Sequence, residues 1–293
     1  MSKDTKNKII VKIKGGMGNQ MFQYALGFAL SKKTGKNVVY DTTFYYQKHI
    51  INTAWPYALN HFKCQPIIQE QGRIKKIYLF LMDGVTRIFP KISRTYLRDS
   101  PADILETITT EKHDIYLDGY WQNEGYFKEV ESEIQNQFIV TDDIDDTNQY
   151  WLDSIKKTNS VCLHVRRGDY VSNSLANKHH GTCSLEYYKM AVSYMNSHLF
   201  EPVYYVFSDD MEWVKENLPI DGHVYYMDHN DSSKNYDDLR LMYSCKHFII
   251  ANSSFSWWGA WLSQSVNKIV IAPKHWNNDA VQPDIVPERW IRL

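Results

Sequence analysis

With 293 residues, 43% of them hydrophobic and 14% aromatic, the chain can bury a large core, and at about 150 residues per domain it is long enough for two. Its 33 basic residues offset 34 acidic ones, so no global field draws it toward nucleic acid or an anionic membrane. The polar stretch Met1 to Lys8 and the short apolar run Ile9 to Ile13 exclude a signal-peptide core or a membrane span there, and four widely spaced cysteines without a Cys-x-x-Cys pair fit reduced thiols in the cytosol.

Lys8 to Lys14 reads as a β-branched strand, Gly15 to Gly18 as a tight loop, and Asn19 to Lys33 as a helix stopped by Gly35. Phe22, Ala25, Leu26, Ala29 and Leu30 give that helix one buried face. Val38 to Tyr40, ending at Asp41, completes a βαβ unit. The pattern from Gln47 to Ile115 is less regular. The basic amphipathic stretch Gly72 to Met82 suggests a helix, and Trp55, Tyr57, Phe62, Tyr78 and Phe80 read as core rather than as sugar platforms. Ile115 to Tyr120 is another strand, and the acidic, amide-rich run Thr141 to Gln149 is the best linker, which divides the chain into 1–150 and 151–293. Beyond it, strands at Val161 to Val165, Val203 to Phe207, Val224 to Met227, Phe248 to Ala251 and Ile269 to Ala272 alternate with helical stretches such as Met211 to Leu218 and Leu239 to Lys246. That alternation predicts a parallel sheet with helices on both faces.

Four strand ends carry the chemistry. His164-Val165-Arg166-Arg167-Gly168-Asp169 sets an imidazole, two guanidiniums and a carboxylate at the end of an apolar strand, and a guanidinium fork suits a diphosphate. The competing reading is a surface ion pair between Arg167 and Asp169. Gly15 to Gln20 follows a strand and opens a helix whose free N–H groups suit an anion. Gly16-x-Gly18 also begins a dinucleotide fingerprint with Asp41 near the ribose-acid position, but the third glycine position is Met21, which argues against NAD. Ser208, Asp209 and Asp210 satisfy simple helix capping, while a carboxylate there also suits the N1–H and exocyclic amine of guanine. Ser253 and Ser254 fit a cap whose donors cradle a phosphate, and Trp257, Trp258 and Trp261 read as packing between domains or between helix and sheet. Asp143-Ile144-Asp145 lies in the linker and is rejected as a metal–nucleotide motif, and His179, His180 and Cys183 lack a fourth ligand for zinc.

Taken together, Gly16-x-Gly18-Asn19-Gln20, Leu117-x-Gly119-Tyr120-Trp121-Gln122, His164-x-Arg166-Arg167-Gly168-Asp169-Tyr170, Phe207-Ser208-Asp209-Asp210 and Asn252 to Gly259 closely resemble glycosyltransferase family 11, the α-1,2-fucosyltransferases. The resemblance implies an α/β, GT-B-like fold of two Rossmann-like domains facing a central cleft, the first on the acceptor side and the second binding GDP-L-fucose. It also implies an inverting reaction with no metal or other cofactor and a galactose-terminated acceptor, lipid-linked or free, of a surface glycan such as O-antigen. Arg166 would hold the β-phosphate, His164 and Asp209 would contact guanosine, and Ser254 with its neighbours Ser253 and Phe255 would bind the pyrophosphate. Asn19, with Gly16, Gly18 and Gln20, would close the site from the first domain, and Arg167 and Asp169 complete the donor motif. Asp41 and His180 are the alternatives for the general base. A fucosyltransferase of another linkage, and more distantly an NAD-dependent oxidoreductase, are the competing functions. The expected setting is the cytoplasm, with peripheral association at the inner membrane compatible with a lipid-linked acceptor.

Overall fold

The computed structural model describes residues 7–46, 55–89, 92–99, 104–168, 181–279 and 285–293, and in them the α/β alternation resolves into two parallel sheets, of four and six strands. The sheets belong to separate units, Met1–Ile139 and Val140–Leu293, which together make a GT-B-like pair of Rossmann-type units. Asp169 and His180 lie outside the described residues. Among the described residues no helix is long and apolar enough to cross a membrane, and all four cysteines are free thiols.

The first unit runs β1 (Ile9–Lys12), α1 (Met17–Thr34), β2 (Val38–Asp41), α2 (Arg73–Ile88), β3 (Tyr96–Arg98), α3 (Ile104–Thr110), β4 (Ile115–Asp118) and α4 (Glu131–Gln137). Its sheet order is β2-β1-β4-β3. Ile9, Ile10 and Val11 are wholly buried, as befits a central strand covered on both faces. The sequence pattern starts α1 at Asn19, whereas it begins at Met17. Gly16, in extended backbone, is the N-cap, so Met17 and Gly18 belong to the first turn rather than to a loop. At the other end Gly35 takes a left-handed φ of 65° and donates its N–H to the Ser31 carbonyl at 2.9 Å, the expected glycine stop.

The second unit runs α5 (Asp146–Lys157), β5 (Asn159–Val165), α6 (Leu185–His198), β6 (Pro202–Ser208), α7 (Met211–Asn217), β7 (His223–Tyr226), α8 (Asn235–Ser244), β8 (His247–Ile249), α9 (Ser254–Leu262), β9 (Val270–Ala272) and β10 (Ile291–Arg292). The units divide between Ile139 and Val140, ahead of position 150, because much of the expected linker is helix: Asp145 caps α5 by accepting from Asn148 N at 2.8 Å. Asp145 also accepts from Lys234 Nζ at 2.8 Å, which gives it structural partners.

Counted from β5, the strand order β10-β9-β8-β5-β6-β7 is the doubly wound 3-2-1-4-5-6, and its topological switch point lies between β5 and β8. Val161, Leu163 and Val165 alternate onto one face of β5, where they pack with Tyr187, Tyr188 and Met195 of α6. His164 therefore turns to the other face, its ring 6.0 Å from that of Phe255 in α9. The three tryptophans of α9 are fully buried within their own unit. Trp257 donates to the Ile285 carbonyl at 2.8 Å and packs on Trp258, Trp261 and Trp290.

Candidate active site

Two strand ends meet beside the switch point of the second sheet. After β5 the chain presents Arg166 and Arg167, and after β6 it presents Asp209 and Asp210. Asp209 is gripped from both sides: Arg166 Nη1 lies 2.9 Å from Oδ2, and the Arg167 backbone N–H donates to Oδ1 at 2.8 Å. Arg167 points elsewhere. Its Nε donates to Asp210 at 3.2 Å and its guanidinium carbon lies over Trp213, 3.5 Å from the ring centroid. Gly168 makes the loop possible, since a Cβ there would sit 3.0 Å from Asp209 Cγ and overlap its carboxylate.

Capping explains only part of the Ser-Asp-Asp run. The N-cap of α7 is Asp210, which accepts from Trp213 N, and not Ser208, whose hydroxyl accepts from Asp210 N at 3.0 Å. Asp209 takes no part in the cap and is left for the arginine cluster.

His164 stands beside this cluster and is 4% exposed. Its Nδ1 is buried without a hydrogen-bond partner among the described residues. Burial, and secondarily the Arg166 charge, lower its pKa to about 4 against a counter-pull from Asp209, so the ring is neutral at physiological pH. An unpaired buried ring nitrogen calls for a partner. Between pH 6.5 and about 4 the unfolded chain takes up a proton that folded His164 refuses, so stability falls as pH falls through that window. His164→Gln is expected to flatten that part of the thermal-stability profile; a slope identical to wild type would remove His164 as its source.

Across the switch point, after β8, α9 opens with Ser253 as N-cap in extended backbone, and the Ser253 side chain makes no cap bond. Ser254 and Phe255 form the first turn, so their backbone donors suit an anion. Asn252 anchors the approach, donating to the Gly181 and Trp276 carbonyls at 3.2 and 3.1 Å.

The first unit has its own switch point, between β1 and β4, and both of its motifs lie there. Asn19 Oδ1 accepts from Gln122 Nε2 at 2.6 Å. Gln20, fully buried, donates to the Gly15 and Pro56 carbonyls at 3.0 and 2.8 Å and accepts from Ala58 N at 2.8 Å, so its amide braces the loop. Gly16 and Gly18 shape the start of α1. Asp41 is 2% exposed. Its Oδ2 accepts from Tyr116 Oη at 2.7 Å, and its Oδ1 accepts from Thr43 N at 2.9 Å and from the Thr43 hydroxyl. Those bonds engage both carboxylate oxygens, and Met21 is fully buried at the third fingerprint position.

Three polar residues absent from the sequence reading organise this edge. Gln23 accepts from Lys14 N at 2.9 Å and donates to the Gly119 carbonyl at 3.0 Å. Asp99 accepts from Tyr120 and Trp121 N at 3.0 and 2.8 Å, and holds Trp121 in a left-handed turn of φ 56°. Asp118, 1% exposed, is paired with Lys12 at 2.8 Å and Lys14 at 2.5 Å and accepts from Tyr96 Oη at 2.6 Å. Among the described residues no group of three His, Cys, Asp or Glu side chains is placed to hold a metal ion.

A doubly wound unit with an arginine-bearing strand end and an open helix N-terminus beside its switch point, preceded in the chain by a second parallel α/β unit, suits the binding of a nucleoside diphosphate. The sequence matches glycosyl transferase family 11 over residues 1–293, and the chain belongs to that family. It is 34% identical over 292 residues to an alpha-1,2-colitosyltransferase of Escherichia coli, which covers 97% of this chain and 98% of that relative. It is 29% identical over 300 residues to the O-antigen biosynthesis glycosyltransferase WbnK of Escherichia coli, with 96% and 99% covered. The fold is also like that of the fucosyltransferase NodZ from Bradyrhizobium, with a TM-score of 0.50 at 14% identity over 87% of this chain and 92% of that one.

Proposed function

We propose that the protein transfers L-fucose from GDP-L-fucose, with inversion, to the 2-hydroxyl of a terminal β-galactoside during assembly of a bacterial surface glycan. The observation that carries this reading is the cluster of His164, Arg166 and Asp209 at the switch point that also opens α9. The acceptor oxygen attacks fucose C1, the bond from C1 to the β-phosphate oxygen breaks, and GDP leaves with the charge. Arg166 aims its donors at that charge, sharing its fork between phosphate and Asp209, and the first amides of α9 with Ser253 and Ser254 take the remaining oxygens. His164 Nδ1 and Asp209 read the guanosine. Arg167, stacked on Trp213 and tied to Asp210, positions the loop that carries Asp209. We assign the acceptor to the first unit, with Asn19 at its edge, and the proton to His180 or to water in a loose transition state. The setting is cytoplasmic, and the acceptor is a galactose-terminated, lipid-linked oligosaccharide.

Similarity to the alpha-1,2-colitosyltransferase favours a second donor. Colitose is L-fucose without its 3-hydroxyl, so the same diphosphate and guanosine contacts would serve. The two donors are separated by offering GDP-L-fucose and GDP-L-colitose side by side with a β-galactoside and reading the product linkage by NMR. An α-1,2-fucosylated product is expected. Transfer from GDP-colitose alone would replace the donor, and a linkage to another hydroxyl would overturn the assigned position.

A further inference from the structure

One face of α2 is apolar and uncovered. Helix α2 sits on the first sheet through Leu79, which packs with Ile10, Val39, Tyr96 and Tyr116, and Thr86 is buried on the same side. At 100° per residue, Ile74, Ile77, Leu81, Val85 and Ile88 fall on a single stripe away from that contact. Their exposures are 86, 59, 59, 40 and 72%, and Phe89 and Ile92, just past the helix, are each 60% exposed. Phe80 and Tyr78 are 78% and 46% exposed, so these two aromatics are not core as their composition suggests. Solvent-facing isoleucine, leucine and valine in so long a row mark an interaction surface.

The charge around the stripe selects the partner. Arg73, Lys76 and Arg87 run along one flank, all exposed. The single acidic residue of the helix, Asp83, is 25% exposed and paired with Arg87 and Arg98. A balanced chain thus carries a local cationic, apolar patch. A second copy of this face would bring only the same positive charges, whereas an anionic surface neutralises them. We propose that this face of α2 docks on an anionic lipid bilayer, with the isoleucine and leucine side chains entering the boundary between headgroups and acyl chains and the basic flank contacting lipid phosphates. With 16 residues the helix lies in the interface rather than crossing it. This inference rests on the first unit alone and stands or falls independently of the transfer reaction.

The test is flotation of the full chain with vesicles of phosphatidylethanolamine and phosphatidylglycerol, against vesicles of phosphatidylcholine and against high salt. The wild type is expected to float with the anionic vesicles and to lose that binding in salt. Ile77→Asp combined with Leu81→Asp is expected to lower binding by about tenfold or more. Arg73→Glu with Lys76→Glu, a pair in solvent that spares the stripe, is expected to lower it on anionic vesicles. Val266→Asp, at a residue 84% exposed in the second unit, should leave it unchanged. Circular dichroism and melting temperature report whether each variant is folded. No flotation of the wild type, flotation indifferent to both double substitutions, or a wild-type dimer that the Ile77→Asp and Leu81→Asp pair converts to monomer would overturn the proposal, the last by assigning the face to a second copy.

Discussion

Replacing Arg166 by alanine is expected to lower the rate of sugar transfer about 100- to 1000-fold while the protein stays folded, because in the proposed reaction it removes a donor aimed at charge that develops only as the sugar–phosphate bond breaks. The fold should survive because the ion pair that is lost, 2.9 Å long between side chains 20% and 25% exposed, is partly solvated. Asp209 also keeps the Arg167 N–H. Pairs of this kind contribute roughly 1 kcal/mol or less. Lysine at 166 restores a charge but not the planar fork, so it should recover only part of the rate. Turnover at saturating donor, GDP affinity and melting temperature together check the assignment. Full activity in Arg166→Ala would end it.

Asp118→Ala is expected to have the largest effect on stability, a loss of about 3 to 5 kcal/mol, because it strands two lysine charges and a tyrosine hydroxyl at a buried strand end. Burial pushes this carboxyl up, but Lys12 and Lys14 outweigh it and hold the group well below its ordinary value of 3.8. The stabilisation is therefore complete above the unfolded value and is lost as pH falls below 3.8 toward the depressed folded one. Asp118→Asn keeps the shape and the Tyr96 contact without the charge, and should be intermediate. Chemical denaturation at pH 7 reads the loss, and a change below about 1 kcal/mol would show the triad to be marginal.

The second unit was legible because its core strands are buried on both faces and read as unbroken apolar runs ending in His164, Phe207 and Ala251, where the motifs begin. The segment leading into it is less legible, because acidic and amide residues mark a helix cap as readily as a solvated tether, as Asp145 and Asn148 show. Asp41 is a strand-end acid. Whether such an acid faces a substrate or the Tyr116 hydroxyl of another strand is decided by pairing across 75 positions, which local pattern does not carry. Asp118 went unseen for the same reason, since its lysines lie 106 and 104 positions away. The basic, amphipathic character of α2 is plain in the sequence, but which of its faces meets the sheet depends on Leu79 finding Tyr96 and its neighbours.

The motifs of the second unit thus gather at or beside one switch point and those of the first unit at another, which is where an α/β sheet binds ligands. The most direct test of the proposed reaction is GDP release from GDP-L-fucose, with EDTA present, offered a β-galactoside and the matching 2-deoxy-β-galactoside. Release that requires the galactoside and is absent with the 2-deoxy sugar is the predicted result. Equal release with both acceptors would contradict transfer to the 2-hydroxyl.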